Sequence, residues 1–221
     1  MMKIKIFWLL GLLTQLATVT GCATLPTWLG DEQARPLFTP GNFRGDVQLA
    51  PDIQRIALLP LHGGDVAAPE ITMALDAVLV TALQRQVRFE VVVVSREDCA
   101  HLFGAGDFAS TAALPHGFLE KLAEKYGVDA VLFTDLTVMH AYRPLTLGLR
   151  AKLATVRDVR LVWAFDEVFS AADEKMVNSV RQFHREGDRL APVDSTPAVL
   201  QSPARFGAVA AEIMFHTLPP R

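Results

Sequence analysis

The chain has 221 residues, 51% hydrophobic and 20% charged, a globular composition that excludes an intrinsically disordered protein. Its formal net charge is −3, and without Lys3 and Lys5 of the amino-terminal leader it falls to about −5. An acidic chain without a basic stripe is a poor nucleic-acid binder, and without a polybasic cluster it has no electrostatic hold on anionic lipid.

Met1-Met2-Lys3-Ile4-Lys5 is a short cationic segment, and Ile6-Phe7-Trp8-Leu9-Leu10-Gly11-Leu12-Leu13 opens an apolar run that reaches Val19 with polar breaks at Thr14 and Gln15. A transmembrane helix needs roughly 20 apolar residues, so this run reads as an export signal over residues 1–21. Val19-Thr20-Gly21-Cys22 closes it and resembles the lipobox of bacterial lipoproteins. That resemblance implies cleavage between Gly21 and Cys22, a thioether from Cys22 to diacylglycerol, and acylation (a palmitate-type chain) of the freed amine. The alternatives are an ordinary signal peptide with a chance cysteine, or a signal anchor. Acyl chains at about 0.8 kcal/mol per buried CH₂ make such an anchor effectively permanent. Ala23 stands where an aspartate would resemble an inner-membrane retention signal, which favours the outer membrane, facing the periplasm. Lipidation consumes one of the two cysteines and leaves Cys99 without an internal disulfide partner; a buried, inert thiol is the expected state, an intermolecular bridge or a reactive thiol the alternative.

Residues 22–51 carry Pro26, Gly30, Pro36, Pro40, Gly41, Gly45 and Pro51 with no sustained period and read as a lipidated tether. Trp28, Leu29 and Phe38 within it are candidates to touch the membrane surface or to pack on the domain. The domain is expected over residues 52–221. Ile53–Leu59 is a strand-like run ended by Pro60, and His62-Gly63-Gly64-Asp65 makes a loop. Pro69 suits the first turn of a helix carrying Ile71, Leu75, Val78, Leu79 and Ala82 at helical spacing. Phe89–Val94 is β-branched and reads as a buried strand. Ser95 caps a short helix through Cys99 and Phe103, stopped by Gly104. Pro115 starts a helix with Phe118, Leu119, Leu122, Ala123 and Tyr126 on one face, and Val128–Phe133 is a third buried strand.

Leu145 to Val156 alternates, with Leu145, Leu147, Leu149, Ala151 and Leu153 on one face and Thr146, Arg150 and Lys152 on the other. Residues 157–160 turn the chain, and Leu161, Trp163, Phe165 and Phe169 return as the hairpin partner. Asp173 heads a short helix through Val180, residues 186–203 read as loop, and Phe206, Val209, Ala210 and Ile213 mark a last helix before Pro219-Pro220. The expected fold is α/β (α+β): a single compact domain with a mixed sheet of about five strands and helices packed on it, in the order β-α-β-(α)-α-β-β-β-α.

Arg55-Ile56-Ala57-Leu58-Leu59-Pro60, Leu122-Ala123-Glu124-Lys125-Tyr126-Gly127-Val128-Asp129-Ala130-Val131-Leu132 and Leu161-Val162-Trp163-Ala164-Phe165-Asp166 together resemble the envelope lipoproteins of the curli-secretion (CsgG-like) group. The pattern is also similar to the lipoprotein activators of penicillin-binding proteins and to the N-terminal domain of the Tol–Pal propeller protein. The resemblance covers about residues 53–170 and implies an α/β domain that works by binding envelope proteins, without a cofactor. Curli-type pore subunits carry added hairpins, whereas about ten residues separate the third and fourth strands here. Cys22 is the one functional residue the resemblance carries over.

No nucleophile elbow or phosphate-cradling glycine loop occurs, so no catalytic or cofactor-binding residue is assigned. Leu61-His62-Gly63-Gly64 faintly resembles an oxyanion-hole motif and otherwise reads as a flexible strand-to-helix loop. Asp135 and His140 are the one spacing weighed as a metal pair, against plain surface polarity, and no metal site is assigned. Asp166-Glu167 and Asp173-Glu174 point to ion pairs or capping rather than acid–base work, because neighbours on a strand face opposite ways. Tyr142, Arg143 and Trp163 are the candidate partner-docking residues, with a structural turn and a core tryptophan as the alternatives. The 145–156 strand has the length of a membrane β-strand, though a sheet lying on helices gives the same alternation. The sequence therefore points to a lipid-anchored, non-enzymatic domain that binds another envelope protein or itself. A secretion-pore subunit and an enzyme with an unrecognised site are the alternatives.

Overall fold

A computed structural model describes residues 35–187 and 195–221, and residues 36–221 form one compact unit. Six strands make one sheet: β1 (Phe43–Gly45), β2 (Arg55–Leu58), β3 (Glu90–Val93), β4 (Ala130–His140), β5 (Thr146–Thr155) and β6 (Leu161–Ser170), in the spatial order β1-β6-β5-β4-β2-β3. β2 pairs in parallel with both β3 and β4, and every other pairing is antiparallel. The helices are α1 (Pro69–Gln84), α2 (Arg96–Phe103), α3 (Phe118–Tyr126), α4 (Glu174–Gly187), α5 (Thr196–Val199) and α6 (Pro203–His216). This is the mixed α/β single domain that the apolar periods imply.

Two layers of helix follow from strand alternation. Ile56 and Leu58 of β2 and Leu132 of β4 point to one face, where they meet Leu75 and Leu79 of α1, Met176 and Val180 of α4, and Phe206 and Met214 of α6. Ala57 and Val131 point the other way, with Leu59 and Phe133, against Cys99 of α2 and Phe118, Leu119 and Leu122 of α3. Leu147, Leu149, Ala151 and Leu153 of β5 all join the first face, as the alternation of 145–156 requires. Local signals act where expected: Pro69 opens α1, and the Ser95 hydroxyl accepts the Asp98 N–H at 3.0 Å. Gly104 and Gly127 stand at the ends of α2 and α3.

Three features differ from the sequence expectation. First, β1 lies inside the segment read as tether; it pairs with β6, setting Phe43 beside Phe165 and Gly45 beside Trp163. Ahead of it, the Phe38 ring packs 5.2 Å from that of Phe169, and its N–H donates to Ser179 Oγ at 2.9 Å. Leu49 after it is buried. The sheet thus has six strands rather than about five. Second, β4 does not end at Phe133 but runs to His140, so most of the expected loop before Leu145 is strand. Its polar residues are held by the β5 register, with Thr137 bulged out between Leu136 and Val138. Gly148 lies opposite that bulge, where a Cβ would come 2.9 Å from the Val138 amide nitrogen. Third, the short helix α5 interrupts the stretch 186–203 that reads as loop.

Candidate functional site

Gly21 and Cys22, the expected cleavage and lipidation positions, lie outside the described residues, as do Trp28 and Leu29. Among the described residues, polar groups gather at the carboxyl ends of the parallel strands, where open α/β sheets hold their ligands. β2 delivers Leu61 and His62, β3 delivers Arg96 at the start of α2, α1 delivers Asp76, and the loop after α2 delivers Asp107 and Ser110. Arg96 is the hub. Its Nε and Nη2 donate to Asp76 Oδ2 at 3.0 and 2.9 Å, its Nη1 to Asp107 Oδ2 at 2.5 Å, and its Nη2 also to the Leu61 carbonyl at 2.8 Å. Asp76 Oδ1 accepts the Leu61 N–H at 2.7 Å, and His62 Nδ1 lies 2.6 Å from Asp107 Oδ1. Burial raises the Asp76 carboxyl above its ordinary range, opposed by the Leu61 N–H and the Arg96 charge.

A second cluster adjoins the first. Buried Asp135 accepts the Ser110 N–H at 2.8 Å and the Ser110 hydroxyl, and Lys152 Nζ donates to the Ser110 carbonyl at 2.9 Å. These bonds pin the loop of residues 104–117 to β4 and β5. Sequence reasoning reached His62 and Asp135 but not Asp76, Arg96, Asp107, Ser110 or Lys152. Their one signal is Asp76, the single acid in the otherwise uncharged stretch 71–84.

The other polar candidates are dispersed. Asp135 and His140 do not converge, and no group of three His, Cys, Asp or Glu among the described residues is placed to hold a metal ion. Asp166 accepts from Arg150 at 2.8 Å, Glu167 accepts the Gly41 and Asn42 N–H groups at 2.9 and 3.2 Å, and Asp173 accepts the Lys175 N–H at 2.8 Å. Cys99 is buried, and desolvation pushes its thiol up to about 11, far from the thiolate that reacts.

The three docking candidates separate. Tyr142 is 90% exposed at the β4–β5 turn, with Arg143 beside it. Val66, Ile71, Met139 and Pro144 border the same open groove of about 540 Å³. Trp163 is a correction to the docking reading: it is 1% exposed, its ring lies 6.0 Å from that of Phe165, and its indole N–H donates to Thr217 Oγ1 at 3.1 Å. A tryptophan whose ring and polar edge are both satisfied inside belongs to the core. A second groove of about 520 Å³ is lined by Leu37, Phe38, Phe43, Phe183 and Ile213. No helix among the described residues is long and apolar enough to cross a membrane.

No protein-family model matches the chain, and no curated protein matches it. Some solved structures are distantly similar to it. A PelC dodecamer from Paraburkholderia phytofirmans is 11% identical over 78% of this chain and 96% of its own, with a TM-score of 0.44. Lipoprotein GNA1162 from Neisseria meningitidis is 19% identical over 55% of this chain and 86% of that one, with a TM-score of 0.42. The LpoB C-terminal domain from Salmonella enterica is 18% identical over 53% of this chain and 82% of that one, with a TM-score of 0.34. Such low scores leave function to be read from this chain's own residues.

Proposed function

We propose that this chain is a bacterial lipoprotein, anchored through lipid on Cys22 to the periplasmic side of the outer membrane, whose domain binds or helps assemble other envelope proteins without catalysis. The observation that carries the domain's role is a contrast at one end of the sheet. Arg96 is bonded to Asp76 and Asp107, and Ser110 to Asp135, while Tyr142 stands 90% exposed at the hairpin beyond them. An aromatic beside an arginine over an apolar groove has the make-up of an interface anchor. The anchor itself rests on Val19-Thr20-Gly21-Cys22 at the end of the apolar leader. The apolar face of the β5–β6 hairpin packs under α6, which counts against lending that hairpin to a membrane barrel.

Two experiments test the two halves separately. Cys22→Ala is expected to accumulate as unprocessed precursor without acyl label; normal processing and membrane retention would defeat the lipoprotein reading. A photo-cross-linking side chain placed at position 142 in intact cells is expected to capture one discrete envelope protein. Capture of nothing there, with the same probe silent at Arg143, would defeat the docking reading.

A further inference from the structure

The end of the sheet opposite the Tyr142 hairpin carries a different kind of surface. There β1 ends, β6 begins after the turn from β5, and β2 and β3 begin. Three connections at that end each present one aliphatic side chain to solvent. Val47 after β1 is 94% exposed, Val87 before β3 is 85% exposed, and Val159 between β5 and β6 is 66% exposed. Leu161, beside Val159, is also exposed. Hydrogen bonds tie these connections together across the end of the domain. The Asp46 N–H donates to the Val162 carbonyl at 3.0 Å, the Leu49 N–H to the Pro220 carbonyl at 2.8 Å, and Arg88 Nη1 to the Pro219 carbonyl at 3.0 Å.

Val87 and Val159 both take a φ of 51°. In that left-handed region the branched Cβ of valine crowds its own backbone, and glycine, asparagine or aspartate is the residue that fits. The turn alone therefore accounts for neither valine, and a gain at the exposed side chain is what would offset the strain. Much of the charge around them is already spent: Arg160 pairs with Asp46 and Asp158, and Arg55 with Glu90. Exposed Arg157 and Arg221 remain, against exposed Asp52. A protein partner covers a continuous apolar patch, whereas single valines stand here on separate turns between charged groups. A bilayer surface closes around each such side chain separately, with the aliphatic tip among the acyl chains and guanidinium groups at the phosphates.

We propose that this end of the domain is a membrane-contact surface, on which Val47, Val87 and Val159 insert into the phospholipid layer. The inference rests on the lipoprotein reading, because a few valines hold a domain on a bilayer only weakly and the acyl chains on Cys22 supply the affinity. What the valines add is orientation. β5 is 10 residues long, which is about 33 Å of strand. Tyr142, at the other end of the β4–β5 pair, then projects away from the lipid, where an envelope protein can meet it. The chain enters the domain at that far end, where Phe38 packs on Phe169. The roughly 14 residues from Cys22 to Pro36 reach at most about 50 Å, enough to pass the length of the sheet.

The test uses the full-length lipidated protein in vesicles of phosphatidylethanolamine and phosphatidylglycerol, with a polarity-sensitive dye on one thiol at a time. Val47→Cys, Val87→Cys and Val159→Cys are each labelled selectively, because the sulfur of lipidated Cys22 is a thioether and Cys99 is buried. At all three positions the emission is expected to shift to shorter wavelength, with quenching by nitroxide-bearing lipid and protection from aqueous iodide. Tyr142→Cys is expected to show the reverse. Val47→Asp combined with Val159→Asp is expected to return the dye at position 87 to water, while the melting temperature holds because both positions are exposed. Dyes at 47, 87 and 159 open to iodide, in protein that floats with the vesicles, would overturn the proposal and leave the anchor standing. Dyes shielded from iodide but untouched by the lipid nitroxide would overturn it in favour of a protein contact. Protein that lacks acyl chains and does not float would defeat the lipoprotein reading and this proposal with it.

Discussion

The two faces of the sheet solve the same burial problem unequally. Under α1, α4 and α6, side chains from β2, β4, β5 and β6 join one large cluster that includes Trp163, Phe165, Phe169, Phe206 and Phe215. Under α2 and α3, a smaller cluster around Phe118 covers only the β2–β4 side. Over β5 and β6 that second face is polar, with Arg150, Lys152 and Asp166. A strand covered on both sides must be apolar throughout, and one covered on a single side must alternate. On the uncovered part of the second face Arg150 and Asp166 pair with each other.

The contrast can be broken at its strongest point first. Trp163→Ala should destabilise the domain by about 3–5 kcal/mol, read as a fall in the urea midpoint. Phe118→Ala should cost a similar amount, since its ring touches Phe103, Phe108 and Phe133. Its effect on hydrogen exchange should concentrate in α2, α3 and the 104–117 loop while β5 and β6 stay protected; equal loss across all six strands would erase the distinction. Arg96→Met leaves Asp76 and Asp107 without their shared cation and should cost about 2 kcal/mol, as expected for hydrogen bonds to charged groups.

A subtler pair of variants has opposite signs in pH. Burial holds the Asp76 proton more tightly in the folded chain than in the unfolded one. Its contribution is therefore full below the unfolded pKa and lost as pH rises through the folded one. Asp98 runs the other way, because the hydrogen bond from Lys125 Nζ, aided by Ser95, holds it low. Its contribution is present above the unfolded value and lost as pH falls through the folded one. Denaturant midpoints measured just above and just below the ordinary carboxylate range should lose the first slope in Asp76→Asn and the second in Asp98→Asn. The smallest effect is expected at Arg150→Ala, which removes a half-buried pair with Asp166 on the uncovered face and should cost about 1 kcal/mol, less in high salt.

Much of this division is written in the residues themselves. Val91–Val94 and Ala130–Phe133 are unbroken apolar runs and fall on the parallel strands; the alternation from Leu145 to Leu153 marks the strand with one wet face. Other parts have no local signature. Phe43-Arg44-Gly45 shows no period, and it is a strand because β6 offers it an edge. Thr134 and Asp135 read as loop residues, and β5 holds them in the ladder. The Arg96 network draws partners from 11 to 45 residues apart in sequence, a separation at which no motif is visible.

One extra residue in β4 has a longer reach than its size suggests. Thr137 is squeezed out opposite a glycine, below a hairpin whose tip carries Tyr142. The root of that hairpin is locked into the interior, and the tip is not. Sliding the kink by a position would swing the tip to a new bearing while the strand below it stayed paired with β5. Under the docking role proposed for Tyr142, one or two substitutions at the kink would suffice to turn that side chain toward a different surface.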